Sequence, residues 1–503
     1  MDSKDDSLKK LGKGAVYVFL GIFFSKFIGY LFKFVTARLG TDQYGILSLG
    51  IMIYSVFSII LVFGLDYGIT RFTAYYLGEN SKAKIKSLIN FIFPVVFISS
   101  LFGSILLFLS SEFIAVNLFH TTELIIVLKI FAFTIPFDCL RGLFLGVIKG
   151  YKNLKYEFYS RYLMEGTSRI LLLFILVYSG FGIIGASIAY VVSVFISFLS
   201  ALVFFRKTFS YSKEILLPIN KFEVFDYSWP LMFNALLGLA TISIDSFIIG
   251  YFMGVSEVGI YNAIAPIARL TYMIPFSLSA LLVPVLVGLY VQKDENTFSS
   301  VYNTLNRWVF MFNFPLMLFI IFFPKEVLFV LFGEEYIVGS IGLIILTFGF
   351  FMMYSFMVSR EVLLALKKSK SVFYFSLIGV ILNIILCYFM VPIYGIIGAA
   401  IASVISLGLI SLLIFLTAFK LTKNKFFQWN YLKVIIAGII AILFINIIRN
   451  YQNLYGFWSL FFSGLLFLII YLGFLFIFKT FKSDDKMIIK DVFGSIKMKI
   501  GFK

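Results

Sequence analysis

The chain has 503 residues, of which 61% are hydrophobic and only 13% are charged. A soluble domain of this size carries roughly a quarter charged residues, so the composition excludes a soluble globular protein and predicts an all-α polytopic membrane protein. The net charge of +17 could suggest a nucleic-acid-binding protein. The basic residues cluster in short loops between apolar segments, however, which indicates membrane topology and no nucleic-acid partner.

The first apolar segment, residues 14–37, is long enough to cross a bilayer and carries Lys26 and Lys33. The two lysines are seven residues apart, so they share one face of a helix. An ammonium group in hydrocarbon costs roughly 2.5–3.5 kcal/mol on insertion scales. We therefore expect this face to line a watery cavity and to meet an anion there.

Apolar windows continue along the chain and predict about 14 transmembrane helices. They lie at approximately residues 14–37, 45–67, 88–110, 123–148, 161–179, 183–205, 229–252, 260–290, 306–323, 339–365, 372–391, 396–419, 432–448 and 457–478. The long eighth segment contains Pro266, Pro275 and Pro284, which predict a bent or broken helix.

Two short patterns occur twice at a nearly constant offset. Residues 39–46 (LGTDQYGI) and 253–260 (MGVSEVGI) share the spacing of their two glycines, and GIIGASIA at 182–189 recurs as GIIGAAIA at 395–402. Glycine-rich turns between apolar helices can resemble each other by chance, but the agreement of the offsets favours a tandem duplication. We predict two parallel six-helix repeats plus two C-terminal helices, with a site between the repeats.

Lysine and arginine placement predicts the orientation. With the N-terminus inside, the inner side receives 32 of the 42 basic residues and the outer side three. The predicted parts are a cytoplasmic N-terminus (1–13), a first six-helix bundle (14–205), a cytoplasmic linker (206–228), a second six-helix bundle (229–419), two extra transmembrane helices (420–478) and a cytoplasmic tail (479–503). We expect a multi-pass protein of the cytoplasmic membrane with both termini inside.

Several charges inside the predicted spans are spaced to neutralise each other as local, structural ion pairs. Asp138 with Arg141 and Glu165 with Arg169 have this spacing, and Arg360 and Glu361 are adjacent near the inner end of their span. Four cations have no acid at such a spacing and are the candidate anion-binding residues: Lys26, Lys33, Lys129 and Arg269. A cavity lined by them would suit a phosphate or pyrophosphate, which guanidinium and ammonium groups bind strongly when desolvated.

A polar stripe runs along the seventh predicted span, where Asn234, Gly238, Thr241 and Asp245 are spaced to share one helix face. In one interpretation Asp245 is a structural partner of Arg269 or of a lysine. In the other, spans one and seven, which are equivalent across the duplication, both face a central cavity with an excess of positive charge, and the stripe lines that cavity.

Catalytic motifs are missing from the sequence. It has no GxxxxGK[ST] pattern for nucleotide binding, one histidine (His120) in a predicted outer loop, and no zinc or nucleophile constellation. The two cysteines, Cys139 and Cys387, fall inside predicted spans without a CxxC spacing, and we interpret them as small buried residues. We expect a protein that is not an enzyme and has no cofactor.

The duplicated outer turn, the GIIGA pattern and the basic loops at Lys149–Lys152 and Lys367–Lys370 resemble the multidrug/oligosaccharidyl-lipid/polysaccharide exporter superfamily. Within it the chain looks most like the Wzx-type flippases of polysaccharide biosynthesis, over about residues 10–420. The resemblance implies a MATE-like fold, and the two extra C-terminal helices are similar to those of the lipid II flippase branch, where they form a groove for the lipid tail.

The resemblance also implies a function. It indicates a flippase that exports a polyprenyl-(pyro)phosphate-linked oligosaccharide by alternating access, with membrane lipids and other polysaccharide-assembly proteins as candidate partners. Lys26 and Arg269 match the pyrophosphate-binding positions of the lipid II branch, and Asp245 and Asn383 are candidates for a Na+ or H+ coupling site. A drug/cation antiporter of the same superfamily is the main alternative, and a membrane glycosyltransferase is a second one.

Overall fold

The chain folds as an array of helices in a computed structural model that describes residues 21, 23–209, 216–273, 275–276, 286–290, 292, 294–422, 429–452 and 456–480. The predicted termini, 1–13 and most of 479–503, lie outside the described residues. Among the described residues there is no strand, and nine helices are long and apolar enough to cross a membrane. The all-α membrane class is thus confirmed, while the count of 14 spans stays a prediction.

The helices form two compact units, Met1–Asn262 and Ala263–Lys503. The first unit contains α1 (residues 23–37), α2 (Thr41–Val62), α3 (Leu65–Gly78), α4 (Lys82–Glu112), α5 (Glu123–Ala132), α6 (Thr134–Gly150), α7 (Leu154–Glu157), α8 (Glu165–Tyr178), α9 (Gly182–Thr208), α10 (Lys221–Phe252) and the start of α11 (Val255–Ala268). π-Helical turns at Phe113–Leu118 and Phe158–Met164 extend α4 and precede α8. The core of this unit is built mainly where α9 packs on α6 and α8, and where α3 packs on α6.

The second unit begins inside α11, which ends in a single 3-10 turn, Arg269–Tyr272. It continues with α12 (Glu295–Phe322), α13 (Pro324–Leu331), α14 (Ser340–Ser355), α15 (Met357–Ala365), α16 (Ser369–Thr422), α17 (Trp429–Gln452) and α18 (Phe457–Ile477). The predicted segment 260–290 lies partly outside the described residues. The two C-terminal helices, α17 and α18, pack on each other and on α12.

Both repeated patterns adopt matching backbone conformations. Gly40 and Gly254, the first glycines of the two copies of the outer turn, have φ angles of 105° and 110°. Gly182 and Gly395, which begin the two GIIGA copies, have φ angles of 49° and 56°. Residues with side chains rarely adopt these values, so glycine is favoured at each position. Gly395 also explains why α16 is bent, because it separates the two spans that the sequence predicts within this helix.

Three prolines in the helices leave carbonyl groups that neighbouring hydroxyls satisfy. A proline has no N–H, so the carbonyl four residues before it loses its helical donor. Three side-chain hydroxyls donate to such carbonyls, namely those before Pro136, Pro266 and Pro315. The bonds are Ser104 Oγ to Ala132 O at 2.7 Å, Tyr44 Oη to Asn262 O at 3.2 Å and Tyr471 Oη to Met311 O at 2.6 Å. In a bilayer this compensation is what makes an internal proline tolerable.

Candidate functional site

Lys26 and Lys33, the first two candidate cations, lie on the face of α1 that points away from the core of the first unit. Ile28 and Phe32 are buried on the opposite side of this helix, and Ile28 packs where Gly166 of α8 has no side chain. Lys26 is exposed and Lys33 is half-buried. Both lysines therefore lie on one face of α1, as the seven-residue spacing predicts, and this face points away from the core of the first unit. Their role in anion binding stays a prediction.

Lys129 and Arg269 each lie against an aromatic ring. Lys129 of α5 is half-buried, with its Nζ 5.3 Å from the centroid of the Phe108 ring on α4. Arg269, in the 3-10 turn that follows Pro266, is half-buried in the second unit, with its Cζ 5.3 Å from the centroid of the Phe350 ring. Each ring face is electron-rich and favours a nearby cation without neutralising it.

The polar stripe of α10 ends at a buried carboxylate. Asn234, Gly238 and Thr241 are exposed, whereas Asp245 is only 4% exposed. Its Oδ2 accepts a hydrogen bond from Tyr261 Oη of α11 at 2.5 Å. Sequence reasoning did not identify this tyrosine as a partner, because the contact depends on how α10 and α11 pack.

Asn383 lies inside the second unit and is 7% exposed. Its Nδ2 is 3.3 Å from both Ser403 Oγ and Ser406 Oγ, on the part of α16 that follows the bend at Gly395. The amide of Asn383 therefore fastens the two arms of α16 to each other. This contact does not test the role of Asn383 in ion coupling, which stays a prediction.

The predicted local ion pairs are all present. Asp138 pairs with Arg141, Glu165 pairs with Arg169, and Arg360 Nη1 lies 3.2 Å from Glu361 Oε1. These three expectations from helical spacing are confirmed. The predicted burial of Cys139 and Cys387 is confirmed as well.

The structure also joins two of these pairs into one charge network, Asp138, Arg141, Glu165 and Arg169. Arg141 Nη1 donates to Glu165, so each central residue lies between two opposite charges. Tyr54 Oη of α2 donates to Asp138, and the guanidinium of Arg169 lies 4.0 Å from the centroid of the Tyr190 ring on α9. Side chains of α2, α6, α8 and α9 thus meet at a single buried, electrically neutral cluster.

Serine hydroxyls surround this network. Ser193 accepts from Arg169 Nε at 3.2 Å, and Ser197 accepts from Arg141 Nη1 at 3.4 Å. Ser200, one turn further along α9, donates to Ser160 Oγ at 2.8 Å. The spacing of these three serines on the apolar α9 helix was the available sequence signal for a polar contact, and sequence analysis missed it.

Comparison with known proteins relates the chain to a family. A family model described as polysaccharide biosynthesis protein matches residues 11–289, and a MatE family model matches residues 230–389. An uncharacterised membrane protein of Methanocaldococcus jannaschii is 27% identical over 79% of this chain and 95% of its own length. A protein of Haloferax volcanii named as a probable low-salt glycan biosynthesis flippase is 24% identical over 44% of this chain and 48% of its own length.

The fold has a solved counterpart. The structure of the lipid II flippase MurJ in an inward closed conformation matches with a TM-score of 0.72, covering 92% of this chain and 98% of that one at 19% identity. At this identity the match supports the fold. It confirms the MATE-like, MurJ-like helical architecture that the sequence predicts.

Proposed function

The chain belongs to the polysaccharide biosynthesis protein family, and on that premise we propose that it is a flippase for a polyprenyl-(pyro)phosphate-linked oligosaccharide. The relative from Haloferax volcanii is named as a flippase of glycan biosynthesis, which supports this class of substrate. The protein translocates the lipid-linked glycan by alternating access, for assembly of cell-surface polysaccharide or glycoprotein. It carries out no covalent chemistry, and its partners are the lipid-linked oligosaccharide and membrane lipids.

One observation supports an anionic head group above all others. The two carboxylates of the charge network neutralise its two arginines, so these carboxylates are unavailable to other cations. Within the part of the chain that the structure describes, Lys26 and Lys129 take part in no ion pair. The membrane part of the protein thus retains positive charge that a phosphate would neutralise, and a desolvated ammonium–phosphate contact is a strong one.

The experiment is a flipping assay in proteoliposomes with a fluorescently labelled polyprenyl-pyrophosphate-linked disaccharide as the probe. We expect Lys26→Gln and Lys129→Gln each to lower the flipping rate by about tenfold, because each removes a charge-assisted contact. Lys420→Gln is the matched control, since it removes the same charge from an exposed position. An unchanged flipping rate in both lysine variants would remove these lysines from the site.

Arg269 provides a sharper test of head-group binding. If its guanidinium holds a pyrophosphate with two donors, Arg269→Lys loses part of the activity and Arg269→Ala loses nearly all, since lysine supplies charge without the planar fork. Normal flipping by the alanine variant would return Arg269 to a structural role.

A drug/cation antiporter is the second candidate function, because the MatE family model matches residues 230–389. This activity predicts uptake of an organic cation such as ethidium into the same proteoliposomes under a sodium or proton gradient. Cation uptake without flipping of the lipid-linked disaccharide would favour the antiporter over the flippase.

A further inference from the structure

A cavity lies between α4, α6 and α9 of the first unit, and we call it the aromatic groove. Its volume is about 510 Å³, within the range of roughly 300–1,000 Å³ that is typical of ligand-binding pockets. Six residues line it: Ile89, Asn90, Phe93, Pro94, Phe144 and Phe205. The three rings contact one another, with centroids 5.0–5.9 Å apart, and Asn90 supplies the one polar side chain among the six.

The aromatic groove opens on a face of α4 that suits hydrocarbon. Asn90 and Pro94 at its edge are exposed. Phe97 and Leu101 follow on the same face of the helix and are 48% and 45% exposed. Because α4 is long and apolar enough to cross a membrane, an exposed apolar stripe along it contacts lipid. These surroundings favour a lipid chain as the occupant of the groove.

Positive charge lies beside one end of the aromatic groove. Lys86 precedes Asn90 by four residues and Phe93 by seven, so the three share one face of α4. Phe93 is therefore about 10 Å further along the helix axis than Lys86. Lys221, the first residue of α10, has its Nζ 5.4 Å from the centroid of the Phe91 ring, and Phe91 directly follows Asn90.

The helix ends near the groove carry basic residues without acidic ones. Arg206 and Lys207 directly follow the groove residue Phe205 and are exposed. The first two turns of α4 and the last turn of α9 contain five basic residues and no acidic one: Lys82, Lys84, Lys86, Arg206 and Lys207. Glu79, just before α4, is paired with Lys84 at 2.8 Å. An anionic group is therefore favoured at this end over a neutral one.

Along α4 these features follow one another in the order in which an anionic lipid presents its parts. Lys86 matches a phosphate, the amide of Asn90 can donate to the oxygens that link head group and chain, and the three rings match the chain itself. Inside a bilayer, van der Waals packing rather than the hydrophobic effect favours a chain in such a groove.

We propose that the aromatic groove binds one anionic phospholipid of the surrounding membrane, with its phosphate beside Lys86 and Lys221 and one hydrocarbon chain against the three rings. The predicted orientation places both lysines at the cytoplasmic leaflet, where basic residues beside helix ends attract anionic lipids. The bound lipid fills the space between α4, α6 and α9 and so stabilises the first unit. It is distinct from the transported lipid, so this site does not depend on the proposed function.

The first experiment compares two lipids that differ in net charge. The full chain, purified in detergent and depleted of lipid, is titrated with phosphatidylglycerol or with phosphatidylcholine carrying the same chains. We expect saturating phosphatidylglycerol to raise the unfolding temperature by about 5 °C, because a ligand of the folded state stabilises it by mass action. Phosphatidylcholine should raise it much less. Native mass spectrometry counts the lipids that stay bound.

The second experiment changes each half of the site. Lys86→Gln and Lys221→Gln should each weaken phosphatidylglycerol binding by about fivefold, the effect of one basic residue near anionic lipid. Lys420→Gln, at an exposed position outside the groove, is their control. Asn90→Trp places an indole ring at the groove and should abolish the stabilisation. Leu109→Trp, at a 73% exposed position of the same helix, is its control and should retain it.

Several results would overturn this site. They are equal stabilisation by the two lipids, unchanged affinity in both lysine variants, and full binding by Asn90→Trp. Displacement of phosphatidylglycerol by an equal amount of polyprenyl phosphate would instead assign the groove to the chain of the transported lipid. None of these measurements involves flipping, so they decide the lipid site even if the proposed function fails.

Discussion

At the scale of single residues, the charge network explains how four ionised side chains are tolerated in an apolar bundle. Arg141 lies between Asp138 and Glu165, and Glu165 lies between Arg141 and Arg169. A buried ion pair is often no more stable than an apolar replacement, but the loss of one member leaves an uncompensated charge. Glu165 is the most sensitive position, because two arginines depend on it.

We expect Glu165→Gln to lower the free energy of unfolding by about 3–5 kcal/mol, since it leaves two guanidinium groups without their shared carboxylate. Thermal and denaturant unfolding in the same detergent would measure the change, and Glu112→Gln, at an exposed position, is the control. The double variant Glu165→Gln/Arg169→Gln should be more stable than Glu165→Gln alone. A Glu165→Gln protein as stable as wild type would contradict the network's structural role.

Asp245 tests the coupling hypothesis. We expect Asp245→Asn to fold normally, because the amide oxygen can still accept the hydrogen bond that Tyr261 donates. If the carboxylate binds the coupling ion, flipping by this variant should no longer respond to imposed sodium or proton gradients. Reconstituted flipping under each gradient is the measurement, with Asp226→Asn as the exposed control on the same helix. A stable variant with an unchanged gradient response would exclude the coupling role.

At the scale of helices, a hydroxyl of one helix can replace the donor that a proline removes from another, and the new hydrogen bond connects the two helices. Pro315 removes the helical donor of Met311, and the hydroxyl of Tyr471 on α18 replaces it. This bond joins α18 to α12, a helix of the second repeat by sequence, in addition to their side-chain packing. Lys433 Nζ of α17 donates to the carbonyl of Phe478 at 3.0 Å, just after α18 ends. The C-terminal helix pair is thus fastened by side-chain bonds to backbone carbonyls.

A double-mutant cycle can measure the Tyr471 bond. We expect Tyr471→Phe to lower the free energy of unfolding by about 1–3 kcal/mol, because it leaves a buried carbonyl without a donor. In a Pro315→Ala background the cost should be much smaller, since the new amide N–H can donate to Met311. Tyr178→Phe, at an 87% exposed tyrosine, is the control. An equal cost of Tyr471→Phe in both backgrounds would contradict the proposed compensation.

At the scale of the whole molecule, the distribution of basic residues predicts one orientation. The positive-inside rule places loops rich in lysine and arginine in the cytoplasm. We expect reporter tags at residues 1, 80, 215, 295, 425 and 503 to be cytoplasmic and tags at 117 and 330 to be external. Paired fusions to reporters active only inside or only outside would measure this. A cytoplasmic signal at 117 would reverse the predicted orientation.

The sequence alone determined features that depend on local spacing. Apolar length predicts membrane spans, and the fixed geometry of a helix makes the i, i+3 and i, i+4 ion pairs predictable from residue numbers. The repeated glycines predicted the duplication, and their backbone conformations match because each turn needs positive φ at the same place.

Only the tertiary structure decided which distant side chains meet. Arg141 and Glu165 are 24 residues apart, Asp245 and Tyr261 are 16 apart, and Thr41 and Ser256 are 215 apart. No helical period relates such positions, because their contact depends on the rotation and crossing of separate helices. The sequence identified Gly45 and Gly259 as marks of a repeat. Their close approach to each other's turn depends on how α2 and α11 pack, so it became visible only in the folded chain.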